Sequence, residues 1–306
     1  MQKHFVNFKN FLDIKKNRNL EIKLKKKLDV CVQEKLIKSF SQKYKYSYEN
    51  INFKKYNNFK NINLIGMGGS ALGAKAIYNF FSPKIKKKFT FVDNINLKKN
   101  YNQNLKSLNL VISKSGNTLE TISNFKSLKN KKNNLFICEN SNNQIRNLAK
   151  KLKSDIIDHR NYIGGRYSVL SEVGMLPALL MGLNPKKFKR FDNLIKNKRF
   201  INSLISNVIS TVALIRKKKY NSIILNFDEN SEGLFHWYQQ LIAESLGKKS
   251  KGLLPVVSNL PRDNHSMMQL YLDGPSTNFY TFFDVLDHSE NNHLANIKLA
   301  QKYATQ

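Results

Sequence analysis

Between residues 60 and 160, short apolar blocks alternate with stretches whose apolar positions recur every three or four residues. Compact apolar blocks bounded by turn formers read as strands buried on both faces, and the wider spacing reads as helices. The pattern predicts strands over 62–65, 89–92, 108–112, 135–138 and 156–157. Helices fall between them: Leu72, Ala76, Ile77, Phe80 and Phe81 form one stripe, stopped by Ser82-Pro83. Leu119, Ile122 and Phe125 mark a second helix, and 142–152 a third. Strand–helix alternation with near-continuous apolar strands implies an α/β fold, a parallel sheet covered by helices on both faces. The second half repeats the theme more loosely. Helices are expected over 168–181, across 185–216, and over 233–246 and 264–272, with strands over 223–227, 253–257 and 279–285. A helix opens at 296–303. The Gly164-Gly165 pair interrupts the pattern, so a domain boundary is placed there. Three parts result: a helical lead-in over 1–48, with Leu24, Leu28 and Cys31 at helical spacing; a first domain over 49–160; and a second over 161–306.

The length of 306 residues allows a sizeable core, and 41% hydrophobic with 11% aromatic residues is a folding composition. The net charge of +31 changes the picture more. Nucleic acid is the reflex partner for such a charge. Here the lysines are dispersed along the whole chain among many asparagines, as compositional drift toward Lys, Asn and Ile would leave them, and no nucleic-acid partner is assigned. The charge still draws small anions. Cys31 and Cys138 have neither disulfide nor metal spacing, which fits an intracellular protein. No signal-like or membrane-length apolar run occurs, so a cytoplasmic protein is expected, with no membrane partner.

Two glycine- or hydroxyl-rich turns carry candidate chemistry. Gly66-Met67-Gly68-Gly69-Ser70-Ala71 joins a predicted strand to a predicted helix. Glycines let backbone N–H groups approach an anion, and the helix start adds positive potential. The turn is not a Walker loop, but Gly66, Gly68 and Ala71 match the G-x-G-x-x-A spacing, and Asp93 ends the next strand where a ribose-binding acid would sit. A dinucleotide reading therefore stands beside a phosphate one. Ser113-Lys114-Ser115-Gly116-Asn117-Thr118 is the second turn. Its hydroxyls, ammonium and glycine suit a phosphate. Capping alone would use Thr118 and Glu120 and leave the other residues unexplained. A second phosphate cradle also disfavours a dinucleotide.

LIGMGGSALGA and VISKSGNTLET resemble the first signature and the phosphate-binding segment of the glucose-6-phosphate isomerase family. YIGGRYSVLS over 162–171, QQLIAESLGK over 239–248 and NHSMMQ over 264–269 are similar to three further family segments, in the family's order. The resemblance implies two sugar-isomerase (SIS) domains, the second incomplete, and interconversion of glucose 6-phosphate and fructose 6-phosphate through a cis-enediol. It implies that Gly69, Ser70, Ser113, Lys114, Ser115 and Thr118 hold the phosphate and the near end of the sugar, with Gln240 reaching the same sugar. Glu244 is then the base, Arg166 stabilises the enediolate, and His265, supplied by a neighbouring copy in a homodimer, assists ring opening. No cofactor and no metal are implied. The family's C-terminal segment, with a lysine that shares in ring opening, finds no match, and neither Lys298 nor Lys302 is assigned that role. Acceptance of mannose 6-phosphate, and a sugar-phosphate binder without turnover, are the alternatives. Lone residues have plainer readings: Glu244 as a solvated charge, His265 as a cap, Arg166 paired with Glu172, and Phe235, Trp237 and Tyr238 as packing.

Overall fold

The computed structural model describes residues 18–49, 51–95 and 106–285. The first part of the lead-in, the expected helix over 296–303, Lys298 and Lys302 lie outside these residues. The described lead-in forms α1 (Arg18–Val32) and α2 (Lys35–Lys38), with α3 (Lys54–Asn57) following. The first sheet consists of β1 (Asn61–Ile65), β2 (Lys88–Val92), β3 (Ser107–Ile112), β4 (Asn134–Glu139) and β5 (Asp155–His159). Its order is β2-β1-β3-β4-β5, and every pairing is parallel. The helices α4 (Leu72–Phe81), α5 (Leu119–Lys126) and α6 (Gln144–Lys151) form the crossovers.

Alternation along the strands fills both faces. Ile62, Leu64, Leu108, Leu110, Leu135 and Ile137 share one buried cluster with Tyr46, Tyr48, Tyr56 and residues of α4. Ile65, Val111, Phe136 and Cys138 share the other with Ile122, Phe125, Ile145 and Ala149. A row of buried asparagines crosses the sheet. Asn63 pairs in register with Asn109, and Asn109 with Asn134. The Asn63 amide donates to Asn109 Oδ1 and the Asn109 amide to Asn134 Oδ1, each at 3.0 Å.

The remaining helices are α7 (Glu172–Leu180), α8 (Phe191–Lys196), α9 (Lys198–Arg216), α10 (Glu232–Leu246) and α11 (Met268–Asp273). Strands β6 (Asn221–Asn226), β7 (Leu254–Asn259) and β8 (Asn278–Phe283) form a second parallel sheet of order β7-β6-β8. That winding repeats the β2-β1-β3 portion of the first sheet. Helix α10 crosses α4 closely: a Cβ on Gly233 would stand 3.1 Å from the Ala76 Cα.

Three expected helices differ in form. The one over 168–181 is a 3-10 turn (Gly165–Leu170) followed by α7. Ser171 breaks it, with extended backbone and a side chain that accepts from the Val173 N–H, an N-cap that starts a new helix. The 185–216 stretch divides into a 3-10 turn at Pro185–Phe188, α8 and α9, with Asn197 capping α9 through the Phe200 N–H. The 264–272 helix reduces to a 3-10 turn (Arg262–Asn264) and the short α11.

Packing also bears on the division of the chain. Val173, Met175, Leu176, Ala178, Leu180 and Met181 are buried in the same cluster as β1, β3 and β4. We propose that the division falls beyond Met181 rather than at 160–161, because α7 covers the first sheet.

After α10 a tight turn joins Lys248 and Lys251 by two mutual backbone hydrogen bonds of 3.0 Å. Lys249 and Ser250 at its centre have φ of 53° and 57°. A side chain in this left-handed region costs about 1–2 kcal/mol, which glycine avoids at some entropic loss. Ser250→Gly is expected to raise stability by about 0.5–1 kcal/mol, read as a higher urea midpoint at unchanged slope.

Candidate active site

In the first sheet the chain turns one way from β1 to β2 and the other way from β3 onward, so a crevice opens between the ends of β1 and β3. The two sequence-predicted turns lie there. Gly68–Ser70 forms a 3-10 turn leading into α4. Gly69 has to be glycine, because a Cβ would collide with the Gly165 carbonyl oxygen. Ser168 locks the two segments, its hydroxyl lying within bonding distance of the carbonyls of Gly165 (2.6 Å) and Gly69 (3.2 Å). At the end of β3, Ser113 Oγ and Thr118 Oγ1 are 2.9 Å apart, and Ser113 Oγ also accepts from the Gly116 N–H at 3.1 Å. Thr118 stands at the N-cap of α5 but makes no side-chain cap bond, so simple capping does not account for its hydroxyl. Lys114 Nζ lies 3.5 Å from Glu139 Oε1, and Ser115 is exposed.

Helix α10 brings its last turns over the first of these loops. A Cβ on Gly68 would meet Gln240 Nε2 at 2.9 Å, so the Gln240 amide lies on the bare backbone of the turn. Gln240 Nε2 donates to Glu244 Oε1 at 2.7 Å, one helical turn along the same face. Arg166, on the 3-10 turn Gly165–Leu170, donates from Nη1 to Glu244 Oε2 at 3.2 Å and from Nε to Ser245 Oγ at 2.9 Å. Tyr167 OH lies 2.9 Å from the same Ser245 oxygen, and the guanidinium carbon stands 4.6 Å over the Tyr167 ring. Trp237 Nε1 donates to the Arg166 carbonyl at 2.9 Å and pins that backbone to α10. The Glu244 side chain is 47% exposed against 22% for Arg166, so the carboxylate is held by its neighbours yet open to an incoming molecule. Partial burial pulls the Arg166 guanidinium down, but Tyr167 and Glu244 outweigh it and leave it above its ordinary value. Burial pushes the Tyr167 phenol up, but the Ser245 hydrogen bond and Arg166 overcome it, so it falls below its ordinary value.

The structure thus gathers Gly69, Ser70, Arg166, Gln240 and Glu244, and sets Ser113, Lys114, Ser115 and Thr118 at the neighbouring strand end. His265 is not in this cluster. It is exposed after β7, and none of the hydrogen bonds that join Arg166, Gln240 and Glu244 reaches it. Asp93, the candidate ribose acid, pairs with Lys75 of α4 at 2.8 Å, which counts against the dinucleotide reading. Tyr167, Trp237 and Ser245 were not singled out as site residues. Tyr167 and Ser245 directly follow Arg166 and Glu244, and adjacency was the available signal. Trp237 carries both a packing ring and a bond to the site backbone.

Behind the Arg166 turn sits a buried ionic group. Glu172 is fully buried; it pairs not with Arg166 but with Tyr44 OH, 2.9 Å from both carboxylate oxygens, and with the Ser47 N–H at 3.0 Å. His159 Nδ1 is 3.9 Å away. Burial would raise the Glu172 carboxyl, but the nearby His159 and bonds from its own backbone, Ser47 and Tyr44 leave it below its ordinary value. Lys189, also buried, donates to the carbonyls of Leu170 and Ser39 and lies 4.4 Å over the Tyr44 ring. Burial pushes its ammonium down to about 8, against the pull of Glu172.

The architecture is the SIS type of the phosphosugar isomerases. A glucose-6-phosphate isomerase structure from Chlamydia trachomatis superposes with a TM-score of 0.66 at 17% identity, covering 96% of this chain and 62% of that one. A hypothetical protein from Thermus thermophilus superposes with a TM-score of 0.67 at 20% identity, covering 91% of this chain and 75% of that one. The phosphoglucose isomerase family model matches residues 25–253, and the chain belongs to that family. The glucose-6-phosphate isomerase of Methanocaldococcus jannaschii is 33% identical over 248 residues, 75% of this chain and 61% of that protein. The chain therefore spans about three fifths of the length of such relatives.

Proposed function

We propose that the chain is an aldose–ketose isomerase that interconverts glucose 6-phosphate and fructose 6-phosphate, serving glycolysis and gluconeogenesis in the cytoplasm. The observation that carries this is the half-open Glu244 carboxylate, held between Arg166 Nη1 and Gln240 Nε2 above a glycine turn. Glu244 takes the proton from C2 and returns it to C1, which needs one carboxylate within reach of both carbons. Arg166 faces the enediolate oxygens, where a permanent cation stabilises developing charge. Gln240 orients the sugar. Gly69 and Ser70 hold the near end of the sugar, with Ser113, Lys114, Ser115 and Thr118 around the phosphate. The exposed His265 acts in ring opening within a homodimer, in the site of a neighbouring copy.

The test is the purified chain supplied with fructose 6-phosphate, with glucose 6-phosphate followed through a coupled dehydrogenase. Turnover is the expected result, with mannose 6-phosphate run in parallel to define substrate breadth. A folded sample that is stabilised by fructose 6-phosphate but does not convert it is a binder, and the proposal falls.

A further inference from the structure

We propose that Ser245 is a positioning residue that fixes the plane of the Arg166 guanidinium and keeps it from closing onto Glu244. The inference rests on the isomerase reading of the site. Arg166 meets α10 at two successive residues: Nη1 bonds Glu244 Oε2 at 3.2 Å and Nε bonds Ser245 Oγ at 2.9 Å. A guanidinium left to itself beside a carboxylate prefers a parallel two-bond pair. Ser245 occupies the Nε–H that a side-on pair would use, and Gln240 occupies the Glu244 Oε1 that an end-on pair would use, so Glu244 receives a single Arg166 N–H. The remaining Nη donors stay available for substrate oxygens. The serine hydroxyl is itself held, since Tyr167 OH lies 2.9 Å from it and the Tyr167 ring lies beneath the guanidinium. Arg166, Tyr167 and Ser245 thus form a small bracket around the cation, with the Arg166 carbonyl tied to Trp237.

The bracket has a consequence for proton transfer. When Glu244 takes the substrate proton it becomes neutral, and the Arg166 charge loses its partner as charge appears on the enediolate. A singly bonded, pre-aimed guanidinium can transfer its interaction to the oxyanion with little movement. A guanidinium locked two-fold onto Glu244 would hold that carboxylate ionised and make it a weaker base. Among the described residues, Lys248 also acts on Tyr167 beside this pair. Gln240 is neutral, and the Gly66–Ser70 turn carries no charge.

Ser245→Ala is therefore expected to lower kcat about tenfold with KM within about twofold, since the loss falls on the transition state. The melting temperature should stay at the parental value, and Ser245→Thr, which keeps the hydroxyl, should restore kcat. A second readout needs no turnover. With 15N-labelled arginine, the Arg166 Nε–H resonance, assigned by its loss in Arg166→Lys, should shift and exchange faster in Ser245→Ala. Parental kcat in Ser245→Ala, or an unchanged Nε–H signal, would overturn the inference while leaving the isomerase reading intact. A folded parent without turnover overturns that reading and the catalytic part of this inference. The Nε–H signal then still decides whether Ser245 holds Arg166.

Discussion

Glu244→Gln is expected to reduce turnover of fructose 6-phosphate by about 10²–10⁴-fold, the range a single general base supplies, while the protein folds and binds sugar phosphate as before. Glutamine keeps the shape: its one carbonyl oxygen can accept from Arg166 Nη1, while its NH2 takes the place of the oxygen that met Gln240, whose own amide can turn to accept from it. What it cannot do is take a proton from carbon. The side chain is nearly half exposed, so losing its charge should leave thermal stability almost unchanged. The measurement is kcat with fructose 6-phosphate for parent and variant, beside melting curves with and without that ligand. A variant retaining more than about a tenth of parental kcat would remove Glu244 from the role of base.

The second large effect concerns stability. Glu172→Ala is expected to cost about 3–5 kcal/mol, because it removes one partner from a buried charged group. Tyr44 OH and the Ser47 N–H lose their acceptor, and the Lys189 ammonium loses the nearby carboxylate. Native domains hold only about 5–15 kcal/mol in all, so this variant should stand near the edge of folding at ambient temperature. pH dependence gives an independent readout. Glu172 has a folded pKa below its unfolded one, so its stabilisation is present above the ordinary carboxylate range and is lost as pH falls through the folded value. Lys189 is depressed too, to about 8 from 10.5, so between those values the unfolded chain binds more protons and this group alone makes stability rise with pH. In Glu172→Ala the acid loss should shrink and the alkaline rise should begin at lower pH. Urea midpoints across pH 3–10 would show both, and a stability loss under about 1 kcal/mol would mean the group is hydrated or dispensable.

What could be read in advance followed from period and adjacency. Strand positions were legible because β1, β3 and β4 are buried on both faces and β2 and β5 less completely, which leaves compact apolar blocks in each. Residues Gln240 and Glu244 were placed on one face by their spacing of four, and their side chains do meet. Breaks inside helical stretches were harder. Ser171 and Asn197 start new helices by capping, and a hydroxyl or amide inside an apolar stripe carries no periodic signal until its backbone partner is known. The membership of α7 in the first core was hidden because an apolar helix does not announce which sheet it covers. For Arg166 the sequence offered a place beside the enediolate or a pair with the nearby Glu172, and the structure pairs it with Glu244. Closeness in sequence favours Glu172, yet the turn at 165–170 directs the side chain toward α10, and Glu172 is enclosed by Tyr44 and Ser47 instead.

The asparagine row of the first sheet acts as a proofreading device for folding. A slip of β3 by one residue would send its apolar side chains to the wrong face, and hydrophobicity alone would reject it. A slip by two keeps every side chain on its proper face and escapes that rejection. It would, however, set Asn63 beside Ser107 or Val111 instead of Asn109, breaking the bond on which Asn63 and Asn109 now meet. Each amide stranded in the interior costs about 1–3 kcal/mol, so the error that alternation tolerates is caught by three polar residues. Asparagines that look like compositional drift in the sequence thus tell the correct alignment of parallel strands from its nearest decoy.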